Sequence, residues 1–392
     1  MIELLAFVLA GCFLGVISGV LPGLHVNNLS LILLLLFPTM PSNIIALIVA
    51  MGITHSFFDF LPSIVLGAPD GESYLSVLPG HRFLLKGKAY EALLLTIAGG
   101  LFAGVAAIIL APLFVLFLSF SKGILPKIIP FVLIAVLISM VIFSRNIKSS
   151  AIVVLLSSLL GVFVLRNLSI KNGLMALIIG FFALSTLLIS VVRESHIRKQ
   201  VVTKQAFSLK DSVKGSLLAL AGASTIAITP SVGPSQAAFI LSKIFGKIKT
   251  QTYLVMLGGI NTCNLIFSLF VLYALGKSRT GIALAISSAT ITAKELLLFC
   301  GAFLIAIAFS ALALKAIGSE LLKRIHRVSY RKINSAILCS LFAFVFFACG
   351  PAGLLSSLVA CCIAIYATAN RVRRTNCMAF LMVPTILFYM GL

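Results

Sequence analysis

Long apolar runs, separated by short polar or basic breaks, recur along the whole chain. They fall at residues 2–20, 24–37, 42–66, 90–119, 125–143, 149–165 and 172–192. After a basic connector at 193–214 they resume at 215–228, 233–246, 251–275, 294–317, 333–349, 352–369 and 375–391. Most approach the roughly 20 residues that a helix needs to cross a ~30 Å hydrocarbon core, so the pattern predicts helices embedded in a membrane. The run at 4–20 follows Glu3 without a basic leader and reads as a span rather than a signal peptide. Residues 24–37 and 215–228 are too short to cross as straight helices, and each abuts a proline-containing motif. We expect 2–37 and 213–246 to form two helical hairpins. The polar stretches at 281–292 and 73–79 are shorter still and are expected to be irregular backbone lining a cavity.

Seven runs precede the connector and seven follow it, which predicts two repeats, 1–205 and 206–392. Their polar motifs align. Pro22-Gly23-Leu24-His25-Val26-Asn27-Asn28 corresponds to Pro230-Ser231-Val232-Gly233-Pro234-Ser235-Gln236, and Gly52-Ile53-Thr54 to Gly259-Ile260-Asn261 with a one-residue offset. Glu91 and Glu295 each open a long apolar run. An odd number of crossings per repeat puts the two halves in opposite orientations. Inverted repeats are characteristic of secondary transporters, whose solute site lies between the repeats near the bilayer midplane.

Composition agrees with a lipid environment. Of 392 residues, 61% are hydrophobic and 10% charged, with mean hydropathy +1.20. Soluble domains carry about 25% charged residues, too many for this chain to be one. The fold class is therefore an all-α polytopic membrane protein of two inverted-topology repeats, with opposed hairpins containing Pro-Gly-type breaks.

The 30 Lys and Arg against 9 Asp and Glu give a net charge of +21. Summed over alternate connections, 23 basic residues fall on one side and 7 on the other. Basic loops stay cytoplasmic, so this asymmetry predicts a multi-pass cell-membrane protein with both termini outside. It reads as a topology signal, helped by anionic lipid, and excludes nucleic acid as the partner. The eight cysteines sit in apolar runs without ligand spacing and read as packing residues, so we expect no disulfide, no metal and no cofactor.

The motifs carry the candidate chemistry. Pro22 and Pro230 break a helix, and Gly23 and Gly233 let the backbone turn or approach a ligand. The helix that follows each break presents free N–H groups and a partial positive charge, a seat for an anion. Asn27, Asn28, Ser235 and Gln236 would lie in those first turns, with His25 beside them. Asn261, Thr262 and Asn264 form a polar patch in the second half. Asp59 is an acid deep in a span, which makes it a candidate for proton or cation coupling. A pairing with His55, four residues earlier on the same face, is the structural alternative. Basic residues are nearly absent from the runs, so such a site would hold an anion through backbone donors.

The run Gly15-x-x-x-Gly19-Val20-Leu21-Pro22-Gly23 resembles the opening signature of the large membrane subunit of tripartite tricarboxylate transporters, the TctA family. Further patches resembling it are Gly52-Ile53, Ala68-Pro69-Asp70-Gly71-Glu72, Leu84-Leu85-Lys86-Gly87-Lys88-Ala89 and Pro230-Ser231-Val232-Gly233-Pro234. His25 and Ser231 stand where the family prefers glycine, and His55-Ser56-Phe57-Phe58-Asp59 replaces a Gly/Tyr-rich stretch. The resemblance implies a permease for a small carboxylate, working with a small membrane subunit and an extracytoplasmic solute-binding protein.

The alternative reading is a translocase for a lipid carrier such as a polyprenyl phosphate. An intramembrane enzyme finds no support in the motifs, since no Ser/His/Asp spacing, H-E-x-x-H or acidic metal cluster occurs. The topology is testable by cysteine-accessibility labelling. Cysteines replacing Lys199 and Arg327 should react only from the cytoplasmic side, and one near Leu392 only from outside; a cytoplasmic C-terminus would remove the inverted-repeat argument.

Overall fold

The computed structural model describes residues 2–21, 26–65, 74–121, 123–167, 169–192, 199–202, 208–229, 231–246, 248–327 and 329–392, and all regular structure in them is helical. In chain order the α-helices are α1 (Ile2–Val20), α2 (Val26–Leu36), α3 (Ser42–Phe58), α4 (Phe60–Val65), α5 (Tyr74–Leu85), α6 (Ala89–Ser121), α7 (Leu125–Ile142) and α8 (Ile147–Arg166). Next come α9 (Gly173–Ile178) and α10 (Ser185–Val192), joined by a π-helical stretch at Ile179–Leu184. The second half holds α11 (Leu209–Ile228), α12 (Pro234–Ile244), α13 (Thr250–Leu275), α14 (Gly281–Ile286), α15 (Ala293–Arg324), α16 (Tyr330–Ala369) and α17 (Ala379–Met390). Among the described residues nine helices are long and apolar enough to cross a membrane.

The apolar runs therefore predict the helices almost one for one. Within α16, Gly350 has φ 72° and precedes Pro351, which separates the runs at 333–349 and 352–369. The expectation for the two short polar stretches is corrected. Residues 74–79 belong to helix α5, which continues through Pro79, and Gly281–Ile286 is helix α14, capped by the Thr280 hydroxyl. Both are too short to span, and both pack on neighbouring helices, α5 on α4 and α6 and α14 on α2 and α3.

Two helices occupy the centre. The stretch from Ile44 to Val65 is buried throughout, as is nearly all of α13, whereas most of the other spans are less than half buried. Such enclosure requires close approach, and glycine provides it. Gly11, Gly15 and Gly19 of α1 lie against the backbone of α3 at Leu47, Met51 and His55, with Gly19 also against Phe58. Gly215 and Gly222 of α11 lie against α13 near Val255 and Ile260. The tightest contact joins α6 and α13, where a Cβ on Gly99 would stand 1.9 Å from the Val255 carbonyl oxygen and one on Gly258 2.2 Å from that of Thr96.

The order of these contacts gives helix directions. In α1 and α3 they advance together, so the two run parallel, and α15 runs with them, since Ser42 meets Glu295 and Thr54 meets Ser310. Helices α11 and α6 both run parallel to α13, where Gly104 of α6 faces Thr262 and Phe114 packs on Phe267. Helices α3 and α13 are antiparallel: Ser56 meets Thr262 while Gly52 faces Leu265. Equivalent polar contacts tie the helix starts. Asn43 Nδ2 donates to Glu3 Oε1 at 3.1 Å in the first half, and Thr252 Oγ1 donates to Asp211 Oδ1 at 2.9 Å in the second.

A second apolar cluster, apart from this core, gathers Val153, Phe181, Phe182, Ala360, Ala364 and Phe380, where Gly161 and Gly180 bring backbones together. The connector between the halves is stitched to the first half. Gln200 accepts from Ala89 N and donates to Leu84 O, each at 3.0 Å, and Val201 N donates to Gly87 O.

The Gly99 contact carries a stability prediction. Gly99→Leu forces α6 from α13 and should cost about 1–3 kcal/mol or more, seen as a lower melting temperature in detergent. Gly301→Ala, at a position with nothing within 4 Å of a new Cβ, should leave melting unchanged or slightly raised. Equal melting of Gly99→Leu and the wild type would show that this contact does not hold the core.

Candidate functional site

The polar side chains of the two central helices meet where those helices cross. Ser56 Oγ of α3 lies 3.4 Å from Thr262 Oγ1 of α13, and Thr262 also donates to Gly258 O at 3.2 Å. Asn261 and Asn264 are buried beside it, and Asn261 Oδ1 has no hydrogen-bond partner among the described residues. On another face of α3, toward α1 and α15, Thr54 accepts from Ser310 Oγ at 3.0 Å. Thr262, Asn261 and Asn264, singled out in the sequence, are thus brought into one buried layer.

His55 and Asp59 lie further along α3 and are both buried. His55 Nδ1 is 3.0 Å from Ser18 Oγ of α1. Asp59 sits at the junction of α3 and α4, where its N–H donates to His55 O and its carbonyl accepts from Ser63 Oγ. Gly19 brings α1 against the backbone of both residues. An acid and a histidine thus occupy the protein interior next to the end of α1, where the first motif begins.

Residues 276–282 supply a feature that the hydrophobic pattern does not reveal. After α13 the chain turns at Gly276, with φ 63°, and folds back alongside the helix it has just left. Thr280 Oγ1 lies 2.9 Å from Ser268 Oγ. Ser268 precedes the end of α13 by two turns, about 10 Å along the axis. Three contacts then fan out. Arg279 Nη2 donates to Ile228 O at 3.3 Å, the last residue of α11 and the entry to the second motif. Ile282 N donates to Asn27 Oδ1 at 3.3 Å, in the first turn of α2 and within the first motif. The Ile282 side chain packs on Gly52, midway along α3. One short segment therefore touches the edges of both proline motifs and the central helix.

The second motif departs from its reading in one respect. Gly233 is extended, with φ −96° and ψ 175°, a conformation any residue adopts, so the turn does not depend on it. The left-handed residue is Ser231, with φ 65°, which costs a side-chain-bearing residue roughly 1–2 kcal/mol. Its hydroxyl pairs with Thr385 Oγ1 of α17. A glycine here would carry no such cost. Ser235 and Gln236 lie buried in the first turn of α12. Gln236 Oε1 accepts from Gly233 N at 3.0 Å, an ordinary cap, while its Nε2 is buried without a partner among the described residues. Arg373, from the loop before α17, stacks on Phe239 of α12 at 4.4 Å.

Asn27 is placed against α14, where a Cβ on Gly281 would stand 2.5 Å from Asn27 Cβ. Pro22, Gly23, His25 and Pro230 lie outside the described residues, as does the side chain of Asn28. Sequence reasoning missed Arg279, which the charge pattern assigns to an extramembrane connection. The available signal was that 276–292 is too polar and too short to span yet follows a full-length span. Among the described residues no group of three or more His, Cys, Asp or Glu side chains forms a metal site.

Comparison with known proteins identifies the wider group. An uncharacterized protein of Methanocaldococcus jannaschii is 30% identical over 403 residues, covering 98% of this chain and 99% of that protein. No solved structure matches. The family description Tripartite tricarboxylate transporter TctA family matches residues 5–379, nearly all of the helical array described above, and the chain belongs to that family of transporter membrane subunits.

Proposed function

We propose that this chain is the permease subunit for a small di- or tricarboxylate, which it binds inside the membrane between two inverted repeats. The observation that carries the reading is the segment 279–282, which touches the end of α11 and the start of α2 at once, at a depth set by Ser268 of α13. Asn27 at the start of α2 and Ile228 at the end of α11 thereby meet one short segment, which supports a shared site.

The repeat arrangement draws support from helix directions. Helices α1, α3 and α15 run one way and α11, α13 and α6 the other, which is what exchange of equivalent elements through an axis in the membrane plane demands. The Glu3–Asn43 and Asp211–Thr252 contacts occupy equivalent places. Helix α2 packs on α14 of the other half and α12 on α5, so each motif helix reaches across to its opposite repeat. With Lys88, Lys214 and Lys249 near the starts of one set and Arg324 at the end of the other, the basic connections gather on one face, the cytoplasmic face in this reading. Both termini are then outside. The resemblance to tripartite systems further suggests a small membrane subunit and an extracytoplasmic solute-binding protein as partners.

The test is a thermal-shift screen of purified protein against citrate, succinate, inorganic phosphate and a polyprenyl phosphate, because a ligand of the native state raises apparent stability. Stabilisation by a carboxylate, saturating with concentration, is the expected result. Stabilisation by the polyprenyl phosphate alone would favour the lipid-carrier translocase.

Coupling is assigned to Asp59, with His55 beside it on the same helix. In proteoliposomes, Asp59→Asn should abolish gradient-driven uptake while folding and membrane insertion persist. Undiminished driven uptake would reduce Asp59 to a structural residue.

A further inference from the structure

The loop after α13 places a positive charge, that of Arg279, against the residue that enters the second motif. We propose that Arg279 recognises the solute's carboxylate, so the site does not rely on backbone donors alone. This assignment rests on the permease reading above and names the residue that would give that site its preference for charge.

Three observations carry it. The first is depth. Thr280 bonds to Ser268, two turns inside the end of α13, so Arg279 enters from a segment folded back into the protein. A guanidinium held there is costly unless something compensates it. The second is what surrounds it. Arg279 Nη2 donates to Ile228 O at 3.3 Å, while Nε is buried without a hydrogen-bond partner among the described residues. No ion pair among the described residues involves Arg279. The Ile228 carbonyl ends α11 and carries partial negative charge from the helix dipole, which anchors the guanidinium without neutralising it. The third is position. Arg279 is three residues from Ile282, whose N–H meets Asn27, and it contacts Ile228, the last residue of α11.

Arginine suits the task because its planar fork matches a carboxylate with two parallel hydrogen bonds. One arm is committed to Ile228. The others remain for a solute that lies between the start of α2 and the start of α12, whose Gln236 Nε2 is a further buried donor without a partner. The bland alternative is an arginine that merely caps α11. A cap contributes equally with and without solute, whereas a recognition residue matters only when the solute is bound.

The experiment compares Arg279→Gln and Arg279→Lys with the wild type, using citrate, succinate and the uncharged triamide of citric acid as probes. Arg279→Gln should weaken carboxylate binding roughly ten- to a hundred-fold, the worth of a charge-assisted hydrogen bond. It should flatten the difference between citrate and the triamide, with Arg279→Lys intermediate and the melting temperature of the free protein nearly unchanged. A second measurement uses the unaltered chain. Citrate should protect Arg279 from modification by phenylglyoxal, read by peptide mass spectrometry. If the wild type binds carboxylates and Arg279→Gln binds them equally, or if saturating citrate leaves Arg279 fully reactive, the assignment fails and the permease reading stands. If the wild type binds no carboxylate or phosphate, both fail.

Discussion

Inside a bilayer every polar group must be satisfied or enclosed by protein. Here the enclosure depends on glycines that bring helix backbones into contact. Gly99 and Gly258 lock α6 to α13, and Gly11, Gly15 and Gly19 lock α1 to α3. With α13 and the stretch Ser42–Val65 sheathed this closely, their side chains need not be apolar. Ser56, Asn261, Thr262, Asn264, His55 and Asp59 can all lie at membrane depth without meeting lipid. Separating the glycine contacts would expose those groups, so packing and chemistry rest on the same few positions.

The same constraint explains the segments that do not span. Helices α5 and α14 are short yet regular, the first packed on α4 and α6 and the second on α2 and α3, while the fold-back at 276–280 is irregular and lies alongside α13. The fold-back spends its hydroxyls on local partners, Thr280 on Ser268 and on Ala283 N, and leaves the Arg279 guanidinium pointed at the end of α11. Ser231 shows a related economy. Its left-handed backbone is strained, and the bond to Thr385 fixes the turn to α17. Such local irregularities are tolerable only where a rigid array over-determines them.

Function follows from symmetry broken by detail. The arrays around α3 and α13 are alike in helix direction and in the acid–polar contacts at their helix starts. The charges are not alike. The first half carries Asp59 and His55 in its central helix, and the second contributes Arg279 from the segment behind its own. In the permease reading proposed above, a site between such halves would have a titratable group on one side and a fixed positive charge on the other.

The sequence alone determined the class and the helices, because length, hydropathy and helix breaks are properties of a single segment and the bilayer tests each segment separately. Even the break at Gly350-Pro351 was visible between the runs at 333–349 and 352–369. Polar residues stranded in apolar runs, such as Asn261 and Asp59, could be picked out for the same reason. Three features were decided only by tertiary structure. Residues 281–286 pack on α2 and α3, the left-handed position fell on Ser231, whose hydroxyl meets Thr385 of α17, and Arg279 reached the end of α11 because the chain reverses at Gly276. Each depends on a partner remote in sequence, and local patterning carries no information about which remote segment will arrive.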